Sequence, residues 1–201
     1  QQLRWQAPHW LLDGQAFDRV IWASSSSNAT LALVECASTA PESIASDLRS
    51  WAATASALHF ESIATVYAWA PQARLPHPML ALRSSAAAPA QFVFDRGQLD
   101  GPSGLLAFVV SASAGSREEL QAAVLAQAAS QLQPLALGSL QVVQTVVEKQ
   151  ATFACTPELQ RPRQQIAPGL LAAGDYVAGP YPATLEGAVR SGWAAGELDA
   201  T

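Results

Sequence analysis

Gly174 and Asp175 close the apolar run Leu170-Leu171-Ala172-Ala173, and a turn through Pro182 leads to Thr184, Leu185 and Glu186, where a helix is expected to begin. A carboxylate at the end of a buried strand can accept hydrogen bonds from sugar or ribityl hydroxyls, and open α/β sheets bind ligands at that edge. A helix start adds unpaired N–H groups and the positive end of a dipole, which suit a phosphate or an electron-rich ring. Gly187, Ser191 and Ala195 recur every four residues, as do Ala188 and Gly192, so one helix face is nearly bare and something large is expected to approach it. An ordinary strand, turn and small-residue helix packed on a sheet would use the same residues. Their properties alone leave both readings open.

Other chemistry-bearing groups are scarce. His9, His59 and His77 are isolated and lack metal-ligand spacing, Cys36 and Cys155 form no CxxC pair, and no GxSxG elbow occurs. Of the acidic pairs, Glu118-Glu119 reads as solvated helix acids, and Asp95-Arg96 as a local ion pair at a strand end. The net charge of −5 comes without any Lys/Arg cluster, which excludes a nucleic-acid surface. No apolar run approaches the roughly 20 residues of a membrane span, and no signal-like start is present. The cysteine usage fits a reducing cytoplasm.

The elements that must position these residues follow from pattern. Asp13-Gly14 is expected to turn a hairpin between LRWQAPHWLL and AFDRVIWA. The serine run Ser24 to Ser27 reads as a flexible linker. Pro41 opens an amphipathic helix carrying Ile44, Leu48, Trp51 and Ala55. Strands are expected over His59 to Trp69, Met79 to Arg83, Gln91 to Asp95 and Leu105 to Ser111, then a helix from Ser116 to Gln133, then strands over Val142 to Glu148 and Thr152 to Ala154. Trp51, Tyr67, Trp69, Phe92, Phe94 and Phe108 could fill a core or line an apolar tunnel, and sequence does not separate the two.

The segment AGDY, followed after four residues by YPATLEGAVRSG, resembles the C-terminal signature of the FAD-dependent amine-oxidase and carotenoid-desaturase superfamily. VVEKQATFACTPELQRP, LPHPMLAL and QFVFDRGQL are similar to the phytoene desaturases and, more closely, to the squalene-associated hydroxysqualene dehydroxylases of that superfamily. The resemblance implies an α/β to α+β fold: a substrate-binding mixed sheet with helices, plus the C-terminal strand and helix of a split flavin-binding Rossmann-like domain. Residues 1–23 would end the flavin-domain β-meander, 24–165 form the substrate-binding α+β domain, and 166–201 make the C-terminal flavin-contacting strand and helix.

By the same resemblance Ala23 would lie near the adenosine end of FAD, although the following serines replace a more usual Thr-Pro. Gly174 and Asp175 would face the ribityl-pyrophosphate region, and Thr184, Leu185 and Glu186 would present N–H groups to the flavin ring. Amine oxidases place an aromatic where Thr184 stands, which disfavours an amine, while Tyr181 keeps one wall of an amine cage available. No GxGxxG occurs, and the chain begins in mid-pattern without Met, so it is expected to be a C-terminal fragment whose full-length parent carries FAD and which lacks it alone.

The expected function is that of part of an FAD-dependent oxidoreductase acting on a squalene- or phytoene-like isoprenoid, removing the hydroxyl of hydroxysqualene to give squalene. The alternatives are a stand-alone isoprenoid-binding or interaction domain without catalysis, and a flavin amine oxidase. Expected partners are the isoprenoid and the missing N-terminal half of the enzyme, with homodimerisation and peripheral association with a bacterial inner membrane left open.

Overall fold

A computed structural model describes residues 2–197. The chain divides into two compact units, Gln1–His59 with Phe153–Thr201, and Phe60–Thr152. Residues 24–59, expected with the middle domain, therefore pack with the two chain ends. The reason is local: the helices of this stretch lie against strands from those ends.

The unit of the two ends begins with β1 (Leu3–Gln6), β2 (His9–Leu12) and β3 (Gln15–Phe17), an antiparallel meander with Leu3 opposite Leu12 and Trp10 opposite Phe17. The expected hairpin is thus a three-stranded meander. Asp13 and Gly14 take the positive φ that its Asp-Gly turn requires. β4 (Val20–Trp22) leaves the meander for a second sheet, ordered β10 (Gln165–Ala167), β11 (Leu170–Ala172), β4.

The pairing of β4 with β11 is parallel, with Val20 opposite Leu170 and Trp22 opposite Ala172. β11 is buried throughout. Such burial is what a strand in a parallel pair needs.

The serine run is not a linker. Ser25 caps α1 (Ser26–Ala37), its hydroxyl accepting from the N–H of Asn28, because a short hydroxyl side chain satisfies the open donors of a helix start. α1 packs on α2 (Glu42–Ser56), which buries Ile44, Leu48, Trp51 and Ala55 as the apolar spacing predicts. α4 (Leu185–Glu197) closes the unit. What approaches its bare face is the chain itself, since Ala195 clusters with Leu171 and Ala173 of the β11 segment, and a Cβ on Gly187 would lie 2.2 Å from the Tyr181 carbonyl oxygen.

The other unit is a five-stranded sheet in the order β6 (Met79–Ala81), β7 (Phe92–Asp95), β8 (Leu105–Ser111), β5 (Phe60–Trp69), β9 (Gln141–Phe153). The two short strands expected at 142–154 are one strand of 13 residues. α3 (Arg117–Gln131) covers one face, held at its start by a capping box in which Ser116 and Glu119 each accept from the other's backbone N–H.

Alternation sorts the side chains. Ala64, Val66, Ala68, Val93, Leu106, Phe108 and Val110 point under α3, where Leu120, Val124 and Ala128 meet them. Buried Gln127 fastens α3 to the loop before β7, accepting from Ala90 N–H at 2.8 Å and donating to the Ala90 carbonyl at 2.8 Å.

Candidate functional site

The parallel register of β4 and β11 brings Ala23 to the same sheet edge as Gly174 and Asp175, with the Ala173 N–H donating to the Trp22 carbonyl at 2.9 Å. Ala172, Ala173 and Gly174 leave this edge nearly without side chains. A cleft of about 260 Å³ opens beside it, lined by Leu12, Val20, Ile21, Trp22, Ala23 and Ser24.

Thr184, Leu185 and Glu186 are drawn in by two ties. The Ala183 N–H donates to the Asp175 carbonyl at 3.4 Å, and Ser191 on α4 bonds to the backbone of Gly174. Ala23, Gly174 and Asp175 thus follow adjacent strand ends, and Thr184, Leu185 and Glu186 belong to the same unit, tied to the turn at Gly174 and Asp175.

Their roles are more constrained than sequence implied. The Gly174 N–H is already given to the Ser191 hydroxyl, at 2.8 Å. What Gly174 offers a ligand is the absence of a side chain, an absence also imposed from within, since its Cβ would lie 2.5 Å from the Tyr176 ring. Thr184 accepts from the Gly187 N–H at 3.0 Å and donates to the Tyr181 carbonyl at 2.7 Å, acting as the cap of α4. The N–H groups of Leu185 and Glu186 are then the donors facing out of the first turn. The Glu186 carboxylate pairs with Arg190 at 2.6 Å.

Four residues that hold the site were missed from sequence. Tyr176 is buried and donates to the Ser24 carbonyl at 3.0 Å, linking the ends of β4 and β11, and its ring meets Trp51 edge to face at 6.2 Å. Burial, with the charge of Asp175 beside it, pushes its phenol up to about 12. Arg161 donates to the carbonyls of Val177 and Gly179, fixing the loop after Asp175. Ser191, by sequence one more small residue on the helix, bonds through its hydroxyl to the Gly174 backbone. Arg190 lies over the exposed Tyr181 ring, 5.0 Å from its centroid, so one face of that ring already carries a cation. Only the spacing of Ser191 and the i, i+4 pair Glu186–Arg190 gave any sequence signal; the other partners lie far apart in the chain.

The second candidate surface is the face of the five-stranded sheet opposite α3. Register puts Met79, Phe94, Ala107 and Tyr67 in one row across four strands, and Ala81, Phe92, Val109 and Thr65 in the next. Trp69 stands opposite Leu105. Met79, Phe92 and Trp69 are 48%, 39% and 39% exposed, whereas Phe108 is buried under α3 and Trp51 lies in the core of the other unit, its indole N–H donating to Arg163. Of the six aromatics left ambiguous by sequence, two are core and four line this open face. A larger cleft, of about 490 Å³, lies elsewhere in the same unit; Ser84, Ser111, Ser113 and Glu119 line it and suit water better than hydrocarbon.

Comparison with known proteins decides the family. Residues 9–197 match the flavin containing amine oxidoreductases. The chain belongs to that family. No curated protein matches it. Among solved structures of oxidoreductase fold, it is similar to a protein described as a protoporphyrinogen oxidase from Exiguobacterium sp. 255-15, at 15% identity and a TM-score of 0.57, over 98% of this chain and 46% of that one. It is also similar to an oxidoreductase from Methanosarcina mazei, at 14% identity and a TM-score of 0.55, over 94% of this chain and 45% of that one. These likenesses establish a shared mixed α/β fold. The chain spans less than half the length of either structure.

As a member of the flavin containing amine oxidoreductases, the chain can be tested for fit to its family's cofactor. A side-chain-free edge at Ala23 and Gly174, the cleft along β4, a partly exposed Asp175 and the open donors at the α4 start together suit one side of an extended dinucleotide. The described residues fit FAD. The glycine-rich turn that cradles a pyrophosphate in dinucleotide folds has no counterpart in these 201 residues.

Proposed function

We propose that this chain supplies the substrate-binding sheet and one side of the FAD site of an oxidoreductase that removes the hydroxyl of hydroxysqualene, or a closely similar isoprenoid alcohol, to give squalene. The observation that carries this reading is the open sheet face. Its two rows and the Trp69–Leu105 pair are uncharged and mostly apolar, as an unfunctionalised isoprenoid demands of its site. The cation over Tyr181 speaks against an amine substrate.

Bound FAD in its reduced form would supply the hydride, and the hydroxyl would leave with a proton as water. The residues of this chain hold and orient. Asp175 would accept from a ribityl or ribose hydroxyl, Ala23 and Gly174 would leave room for the chain of the dinucleotide, and Leu185 and Glu186 would present N–H groups to the ring. The sheet face holds the isoprenoid and keeps water from it. A strand, glycine turn and helix outside these 201 residues would complete the FAD site, taking the free edge of β4. An assembled, FAD-loaded enzyme containing this chain, reduced with dithionite and given hydroxysqualene, should release squalene. Failure to form squalene with the flavin bound and reduced would overturn the reading.

A further inference from the structure

Among the described residues β6 is an outermost strand of the five-stranded sheet, and its register shows which backbone groups it leaves open. The Leu82 N–H donates to the Gln91 carbonyl at 2.8 Å, and the Asp95 N–H to the Pro78 carbonyl at 2.9 Å. Leu80, opposite Val93, continues that alternation, so residues 78, 80 and 82 turn their backbone groups to β7, whereas Met79, Ala81 and Arg83 turn theirs outward. The outward groups of Arg83 are already answered. The Gln131 side chain accepts from its N–H at 2.9 Å and donates to its carbonyl at 2.7 Å, the pair of bonds that a neighbouring strand would make. Those of Met79 and Ala81 have no such partner among the described residues.

A cleft of about 320 Å³ lies beside this edge, between β6 and the end of α3, with Pro76, Leu80, Leu82, Leu132 and Leu135 in its lining and Arg83 among them. In a strand added to β6, the side chain opposite Leu80 would fall on the same face as Leu80 and so on the side of this cleft. Charge narrows the occupant. Residues 62–94 and 120–147, which include every segment that builds the cleft, contain Arg74 and Arg83 but no Asp, Glu or Lys, in a chain whose net charge is −5. An acidic segment is the complement of such an edge.

We propose that the outer edge of β6 binds an extended acidic segment of a partner protein as a sixth strand, with an apolar side chain of that segment in the cleft. In strand addition, main-chain bonds give affinity and pockets for alternate side chains give selectivity. The segment begins where the Gln131 amide leaves off. The strand proposed to complete the FAD site takes β4, which lies in the other unit, so the edge of β6 is left to a separate polypeptide.

The test uses the flavin-loaded enzyme containing this chain and a rhodamine-labelled peptide, Asp-Val-Leu-Val-Glu with blocked ends, titrated by fluorescence anisotropy. The native enzyme should bind it, and a peptide with Ser in place of Leu should bind at least about ten-fold more weakly. Ala81→Pro removes one outward N–H and leaves the bonds to β7 intact, as Pro on an edge strand can, so it should weaken binding about three- to ten-fold. Arg83→Glu should weaken the acidic peptide and favour a peptide with Lys at both ends, a reversal that mere structural damage would not produce. Should Ala81→Pro fail to fold, as its melting curve would show, the charge reversal decides alone. A native enzyme that does not bind the peptide, or binding unchanged by the folded Ala81→Pro or indifferent to the charge reversal, overturns the proposal.

Discussion

Tyr176 donates its phenolic proton to the carbonyl of Ser24 at 3.0 Å, across 152 residues of sequence. This bond ties the turn after β11 to the turn after β4, the two sheet-end segments that carry Asp175 and Ala23. Replacing Tyr176 by Phe keeps the ring against Trp51 and removes only the tie. A loss of about 1 kcal/mol is expected at neutral pH, where one part-buried acceptor is left without its donor. The pH dependence is a second signature. Because burial raises the phenol from 10.0 to about 12, the neutral form is favoured by folding, so its contribution is complete below pH 10 and is lost as pH rises toward 12. Urea denaturation between pH 8 and 12 should show the native chain falling more steeply than Tyr176→Phe, with the gap closing; parallel curves would refute the assignment.

The seat of α4 makes a different demand. A Cβ on Gly187 would lie 2.2 Å from a backbone oxygen, which cannot move aside as a flexible side chain could. Gly187→Ala is therefore expected to destabilise by about 1–3 kcal/mol despite its gain in helix propensity. Ser191→Ala should cost about as much by leaving the Gly174 N–H unpaired in a part-buried site. If either variant unfolds at the native denaturant midpoint, α4 does not sit on the 174–181 segment as described.

How far the sequence revealed this site depended on how local each signal was. The pattern gives β8 at Leu105–Ser111 and α3 within two residues, because a continuous apolar run and a serine N-cap followed by first-turn acids are complete within a few positions. α1 was missed. Its Leu31 and Val34 face outward while Leu33 and Cys36 face inward, so apolar residues surround the helix and blur its period. The strand–turn–helix of the candidate site was legible, but its supports were not. Tyr176 finds Ser24 and Gly174 finds Ser191 only once the chain has folded. Likewise the split of aromatics between core and open face is a matter of register, which the sequence of one strand does not contain.

Asp95 corrects the expectation of a local ion pair with Arg96. Its carboxylate is 2% exposed and accepts from Gln98 Nε2 at 2.7 Å, Leu75 N–H at 3.0 Å and Gly97 N–H at 3.0 Å, pinning the loop before β6 to the turn after β7. Burial alone would raise its pKa; the three donors, with the charge of Arg74, outweigh burial and hold it below the usual range. Asn at this position keeps the shape but loses the charge and one acceptor, for an expected cost of about 1.5–3 kcal/mol at pH 7. A lowered carboxylate contributes fully above its unfolded value of 3.8 and loses that contribution as pH falls further. The deficit of Asp95→Asn should therefore be large at pH 7 and shrink below pH 3.8, as denaturant titrations at the two extremes would show. A deficit independent of pH would mean that shape, not charge, is what the loop uses.

Leu185, Val189 and Trp193 recur every four residues along α4 and are 88%, 56% and 72% exposed, while Gly187 and Ala195 seat the opposite face. An apolar stripe of this kind on a helix is a surface that seeks a partner. The same unit ends in β4, whose bonds to β11 use the Val20 N–H and the Trp22 carbonyl, leaving Ile21 at an edge strand's open side, 42% exposed. Alone in solution, the chain should associate with itself through these surfaces, giving a mass by light scattering that rises with concentration. Replacing all three stripe residues by Ser should suppress that rise. Stability should change little, because such exposed positions are usually worth within about 0.5 kcal/mol each. A native chain that stays monomeric, or a triple variant that associates as readily, would show that α4 needs no cover.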